Sequence, residues 1–221
     1  MHPRDCFGKP GLIFMSKKKA TLFIDGSNFY HALKQSKFLD VFSFKDLFEE
    51  LSKSFQITKV YYYDALKNSQ LEPEQYSKQQ HFHRKLEKEI PLLVVRSRKL
   101  KYLLVNDKVE KAKTEARFCS DCKPKIGKFL SNAGLIKMTK EKGIDIMLVT
   151  DMVKGAFQEN YEIALLATGD ADFVPAVELV QNLKKEVMNI HFYAGSSSEL
   201  RVKCNSHKLI IVDAKGKCSF K

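Results

Sequence analysis

Within LLATGDADFVPAV, residues 165 to 177, two aspartates, Asp170 and Asp172, follow an apolar run. Carboxylates two residues apart at the end of a buried strand repel each other and lose solvation, which is costly without a compensating partner. Other acids stand at comparable places: Asp25 closes ATLFIDG, Asp64 closes TKVYYYDAL, and Asp145 opens GIDIMLVTDMVKGAFQE. Each has an ordinary explanation. Asp172 can cap the helix that follows, Asp145 gains from a helix dipole, and Asp64 reads as a strand exit and nothing more. Brought together, however, Asp25, Asp145, Asp170 and Asp172 would hold strongly raised pKa values unless a cation neutralised them. An oxygen-only set without His or Cys suits one or two Mg²⁺ or Mn²⁺ ions rather than zinc. Such ions promote phosphodiester hydrolysis by acidifying a bound water and stabilising the leaving oxygen.

The elements around these acids give them a common place. Apolar or β-branched runs at 20–26, 58–66, 91–100, 161–170, 187–195 and 208–213 read as strands. Helical patterns fall between them, at 27–38, 42–55, 72–90, 143–159, 172–186 and 196–206. Alternation of this kind predicts an α/β fold, with a mostly parallel sheet of about five to six strands and helices on both faces. In such sheets ligands bind beyond the carboxyl ends of the strands, where Asp25, Asp170 and Asp172 are expected. Residues 101–141 have no clean period and are expected to form an elaboration with a short hairpin and a small helix. Residues 1–17 read as a flexible basic tail, 18–213 as one domain, and 214–221 as a C-terminal tail.

The 221-residue chain carries a net charge of +12, which favours a polyanionic partner. Between Arg96 and Lys142 there are 14 Lys and Arg against 5 Asp and Glu, so this segment holds most of the excess. Arg96, Arg98, Lys99 and Lys101, interleaved with Tyr102, are candidates for phosphate and base contact with single-stranded RNA, as is Lys142. No apolar run approaches the length of a membrane span. Five thinly spread cysteines fit a reducing, cytoplasmic setting. Cys119 and Cys122 have zinc-knuckle spacing, but a structural zinc needs four ligands. His81 and His83 could complete the set only if folding brought them near, and a pair of reduced thiols is the preferred reading.

FIDGSNFYHAL, KEKGIDIMLVTDM and LATGDADFVPAVELV, in that order, resemble the NYN family, specifically the LabA-like branch of the PIN-domain ribonucleases. The match falls at Asp25 and Asn28, at Lys142, Gly143 and Asp145, and at Thr168, Gly169, Asp170, Asp172 and Phe173, with Ile144 in place of the usual valine. The resemblance spans roughly residues 18 to 213, closing on YAGSSSELRVKCNSHKLIIVD. It implies a Rossmann-like PIN fold and a metal-dependent endoribonuclease. Asp25, Asp145, Asp170 and Asp172 would then be metal ligands, Asn28 would orient a ligand or water, and Thr168 with Gly169 would hold the loop. Apart from the resemblance, Lys142 beside Asp145 could touch a scissile phosphate, although a lysine just before a helix is equally ordinary as surface charge. A further helical glutamate common in PIN enzymes has only Glu49 and Glu50 as candidates, with no motif around them. The alternative is an RNA-binding module that keeps the fold without cleavage, within a larger regulatory assembly. An aspartate-nucleophile phosphatase is disfavoured because Ser27 stands where a second aspartate is needed.

Overall fold

The computed structural model describes residues 16–105, 112, 114–132, 136–140 and 143–221. Strand β1, Lys19–Asp25, shows how the sheet is organised. Ala20, Leu22 and Ile24 enter one apolar layer, while Phe23 enters the other, as the period-two alternation of a strand requires. Both faces are therefore covered, which explains the continuous apolar run in the sequence.

The chain then builds outward in one direction. Helices α1 (Gly26–Gln35) and α2 (Phe44–Ser54) lead to β2 (Gln56–Leu66), and α3 (Pro73–Glu89) leads to β3 (Leu93–Lys99). An antiparallel hairpin of β4 (Lys101–Val105) and β5 (Ile136–Lys140) follows, with α4 (Lys123–Asn132) between its strands, as the irregular segment suggested. Helix α5 (Ile144–Phe157) returns the chain to the centre, where β6 (Ile163–Ala167) pairs with β1 on the side opposite β2. After α6 (Val174–Asn182), β7 (Glu186–His191), α7 (Ser198–Lys203) and β8 (Ser206–Val212), growth continues the other way.

The main sheet has seven strands in the order β3-β2-β1-β6-β7-β8-β9. All pair in parallel except β9 (Cys218–Phe220), which runs antiparallel to β8 through Ile210↔Phe220 and Val212↔Cys218. This short strand, in the segment expected as a C-terminal tail, brings the count above the expected five to six. Three residues are too few to display a period, so no sequence signal announces it. Residues 1–15 of the expected N-terminal tail lie outside the described residues. Among the described residues no helix is long and apolar enough to cross a membrane.

Helices α1, α2 and α3 cover one face of the sheet, and α5, α6 and α7 the other. The first layer is locked by aromatic contacts centred on Phe44. Its ring lies 5.3 Å from Phe29, 5.0 Å from Phe42 and 5.8 Å from both Tyr62 and Phe82. This cluster ties α1, α2 and α3 to β2 through edge-on and tilted ring pairs. Phe44→Ala is expected to cost about 3–5 kcal/mol of unfolding free energy in urea titrations; a loss under about 1 kcal/mol would show that α2 is anchored elsewhere.

Candidate active site

The direction of sheet growth reverses between β1 and β6. Chain segments leaving the carboxyl ends of these neighbouring strands turn to opposite faces and open a crevice, the usual ligand position in an open α/β sheet. Asp25 is the last residue of β1, and Thr168, Gly169, Asp170 and Asp172 follow the end of β6. Local sequence thus delivers two of the three acidic motifs to one edge.

Asp25 is only 6% exposed, and both its oxygens are used. Oδ1 accepts the Asn28 backbone N–H at 3.1 Å, capping α1, while Oδ2 accepts the Thr168 hydroxyl at 3.0 Å. The ladder between β6 and β7 stops at Leu166↔Asn189, so the peptide groups beyond it need other partners. Side chains supply them. Asn28 Oδ1 accepts from Gly169 N at 2.8 Å, Thr168 Oγ1 from Asp170 N at 3.3 Å, and Asp170 Oδ1 from Asp172 N at 3.0 Å. Asn189 Nδ2 donates to the Leu166 and Thr168 carbonyls at 3.0 and 2.8 Å. Gly169 O accepts from Ser197 N at 2.9 Å, clamping the loop after β7 against the loop after β6. A Cβ on Gly169 would lie 1.9 Å from Gly195 O, so no other residue fits without moving that loop.

Burial pushes the Asp25 carboxyl up to about 6; the hydrogen bonds from Asn28 and Thr168 oppose the shift, and the charges of Asp145 and Asp170 add to it. Asp145 lies in the first turn of α5, behind Gly143, whose φ of 82° is left-handed. Asp145 is exposed as a residue, yet partial burial of its carboxyl raises its pKa, with Asp170 and Asp172 contributing. The four predicted acids therefore share one electrostatic field. The cost is distributed differently from the expectation: Asp170 and Asp172 are exposed, and the buried carboxylate is Asp25. In donor type and charge the set fits a hard divalent cation. Its spacing is not that of a finished chelate, because among the described residues no three His, Cys, Asp or Glu side chains stand close enough to hold an ion together.

The NYN domain family matches residues 19–211 of this chain. The chain belongs to the NYN domain family. NYN domains fall in the PIN-like nuclease superfamily, are generally nucleases and usually use divalent metals. The fold is also similar to the crystal structure of a protein of unknown function from Vibrio parahaemolyticus RIMD 2210633, with a TM-score of 0.61 at 16% identity, covering 93% of this chain and 98% of that one. Among curated proteins none matches significantly.

Around the NYN acids the other candidates separate. Arg98 lies over the start of α5, its Nη1 2.6 Å from where a Cβ on Gly143 would be, beside Asp145. Arg96 is held by Asp151, through Nε at 3.0 Å and Nη2 at 2.9 Å. Lys99 is exposed at the end of β3. Lys101 opens β4, with its side chain outside the described part, and Lys142 lies outside the described residues. Cys119 and Cys122 are exposed free thiols with no third ligand among the described residues. His83 is buried in α3, its Nε2 2.8 Å from Asp64 Oδ2, and so is already partnered. Asp64 lies inside β2 rather than at its exit and also accepts from Gln79 at 2.7 Å. Glu49 and Glu50 pair with Lys45 and Lys53 of their own helix.

Two residues escaped the sequence reading. Asn189 is fully buried on β7, and its Oδ1 is a buried acceptor with no partner among the described residues, so holding the β6 exit has a cost. A lone Asn in VMNIHFY, an otherwise apolar strand, was the available signal. Asp151, one side of α5, was hidden because helical acids are usually solvated.

The raised Asp25 pKa sets a pH dependence. The folded state holds this proton up to about pH 6, whereas the unfolded chain releases it near 3.8. Stability contributed by the protonated group is thus lost as pH rises from about 4 to about 6. In metal-free buffer Asp25→Asn, which keeps the shape and the α1 cap, is expected to flatten that part of the profile. At pH 7 it should exceed wild type by about 1–3 kcal/mol in denaturant titrations. An unchanged profile would show that Asp25 carries no such cost.

Proposed function

We propose that this NYN domain is a divalent-metal-dependent endoribonuclease of the LabA-like branch, hydrolysing phosphodiester bonds of single-stranded RNA in the cytoplasm. The observation that carries the reading is the shared field of Asp25, Asp145, Asp170 and Asp172 at the switch point, with Asp25 buried against it. A site evolved for stability alone would not keep a carboxylate at about 6 percent exposure with like charges around it.

In this reading the four aspartates hold Mg²⁺ or Mn²⁺, directly or through water, and Asn28 with Thr168 keeps the β1 and β6 exits in register. Such an ion, when bound, supplies an acidified water and neutralises charge at the scissile phosphate. Asp170 and Asp172, being exposed, face the substrate side, while Asp25 Oδ2 stays fixed by the Thr168 hydroxyl. Arg98, next to Gly143, is placed to meet the RNA backbone entering beside Asp145. Tyr193, 90% exposed on the loop clamped to Gly169, offers a ring for an unpaired base. The free thiols at the four described cysteines accord with a reducing compartment.

A second reading, RNA binding without cleavage, is favoured by one observation: the acids are not pre-assembled as a three-ligand set among the described residues. The two readings part on one assay. Labelled single-stranded RNA is incubated with wild type or Asp170→Asn in Mn²⁺, Mg²⁺ or EDTA. Because the amide Oδ1 can still cap Asp172 N, the variant removes charge while keeping the turn. Metal-dependent cutting by wild type that falls more than about 100-fold in the variant, beyond what outer-shell changes usually cost, is the expected result. Salt-sensitive binding without cutting in any metal would replace the nuclease with the binding module.

Tyr193→Ala is expected to weaken single-stranded RNA binding by about 1–3 kcal/mol, as loss of one stacking ring does, with thermal stability unchanged. Equal affinity in a fluorescence anisotropy titration would remove the loop from the RNA path.

A further inference from the structure

On the α5 side of the sheet, toward the amino-terminal half of the strands, β1, β2, β3 and α5 enclose a cleft of about 410 Å³. That volume is within the roughly 300–1,000 Å³ usual for small-molecule sites. It lies at the other end of α5 from Asp145, and the proposed nuclease site uses none of its residues.

The cleft has an aromatic floor and a cationic wall. Tyr61 packs against Phe23, with centroids 5.6 Å apart and planes 23° from parallel. Lys59 Nζ lies 5.1 Å and Arg96 Cζ 5.7 Å from the Tyr61 centroid. Lys154 of α5 lines the same space, so three cations meet the single carboxylate of Asp151. Arg96 is fixed in place. Asp151 takes its Nε and Nη2, and the Tyr63 hydroxyl donates to Asp151 Oδ2 at 3.0 Å. Among the described residues Arg96 Nη1 makes no hydrogen bond, and Lys59 and Lys154 make no ion pair. A guanidinium locked in orientation beside two unpaired ammonium groups is suited to a phosphate, which takes directed N–H donors and point charges together. Gln158 and Asn160 on the rim are exposed amides joined by a hydrogen bond from Asn160 Nδ2 to Gln158 Oε1 at 3.3 Å, which leaves a Gln158 donor and the Asn160 acceptor for a ligand.

We propose that this cleft binds a nucleoside monophosphate, either free or as the phosphorylated end of an RNA strand. The phosphate sits among Arg96, Lys59 and Lys154, and the nucleoside lies along Tyr61 toward the amides. The site is separate from the acid crevice, so its occupancy needs no divalent ion.

The test is run in EDTA, which also keeps RNA intact, so its outcome is independent of whether the acids cleave. Binding of 5′-AMP is measured by calorimetry, and binding of a single-stranded 10-mer with a 5′-phosphate or a 5′-hydroxyl by anisotropy. Wild type is compared with Lys59→Glu/Lys154→Glu, both exposed positions, and with Lys215→Glu/Lys217→Glu, exposed positions outside the cleft that make the same charge change. A tenfold or greater loss of AMP affinity in the cleft variant alone identifies a free-nucleotide site. A tenfold loss confined to the 5′-phosphorylated RNA identifies a strand-end site. If the cleft variant binds all three probes as the control variant does, or if wild type shows no preference for AMP or for the 5′-phosphate, the proposal is overturned.

Discussion

A carboxylate buried at the point where the sheet changes direction governs the arrangement of everything near it. Asp25 belongs simultaneously to β1, to the cap of α1 and, through Thr168, to the exit of β6. Its two oxygens therefore tie together the two strands whose divergence creates the crevice. Moving the β6 exit would strand Asp25 Oδ2, and moving α1 would strand Oδ1, each leaving a buried charge underpartnered at a cost of several kcal/mol. The network closes through Asn28 to Gly169 and through Asn189 to Thr168, so the backbone beyond β6 is held by side chains from β7 and α1 where the ladder ends. Close approach completes it: Gly169 lies against Gly195, leaving no room for a Cβ.

This construction explains why two neighbouring aspartates are tolerated after β6. Asp170 and Asp172 keep their solvation, and Asp170 spends one oxygen on the Asp172 amide. Burial falls hardest on Asp25, whose two oxygens cap α1 and take the Thr168 hydroxyl, while Asp145 is partly desolvated as well. Electrostatic repulsion among Asp25, Asp145 and Asp170 is then a standing free-energy difference that binding of a cation would relieve.

How much of this the sequence disclosed depended on whether a residue's partner was local. Apolar runs and helical periods located β1, α1, α5 and β6, because period is written in contiguous residues; the α1 cap was misplaced, since Ser27 or Asn28 was the expected cap and Asp25 holds that position. Parallel order also followed from alternation, and with it the edge at which Asp25, Asp170 and Asp172 gather. Burial did not follow. The apolar run before Asp170 suggested desolvation there, but the chain turns outward after the buried Thr168, and the 3₁₀ turn at Ala171–Phe173 carries both carboxylates to the surface. The pairings of His83 with Asp64 and of Arg96 with Asp151 span 19 and 55 residues and connect elements with no shared motif. Strand β9 was invisible for another reason: three residues carry no period, and its place depends on the exposed edge of β8.

Arg96 and Arg98 show how the same strand divides its charge. Two residues apart on β3, they present to the same side of the sheet, where α5 lies. Arg96 meets Asp151 in the middle of α5 and is fixed by it; Arg98 reaches Gly143 at the helix start, next to Asp145. A positive segment that looks uniform in sequence thus becomes one oriented cation in a cleft and one over Gly143 at the start of α5. This matters because a bare cluster of aspartates repels the phosphates of any nucleic acid approaching it. Attraction must come from cations placed around the cluster and from any ion within it, and a net charge of +12 then acts at long range to offset the acids' local field. On the proposed nuclease reading, RNA binding to the body of the protein would therefore persist at an ionic strength or metal concentration where the crevice alone would exclude it, and affinity and cleavage would respond to different ions.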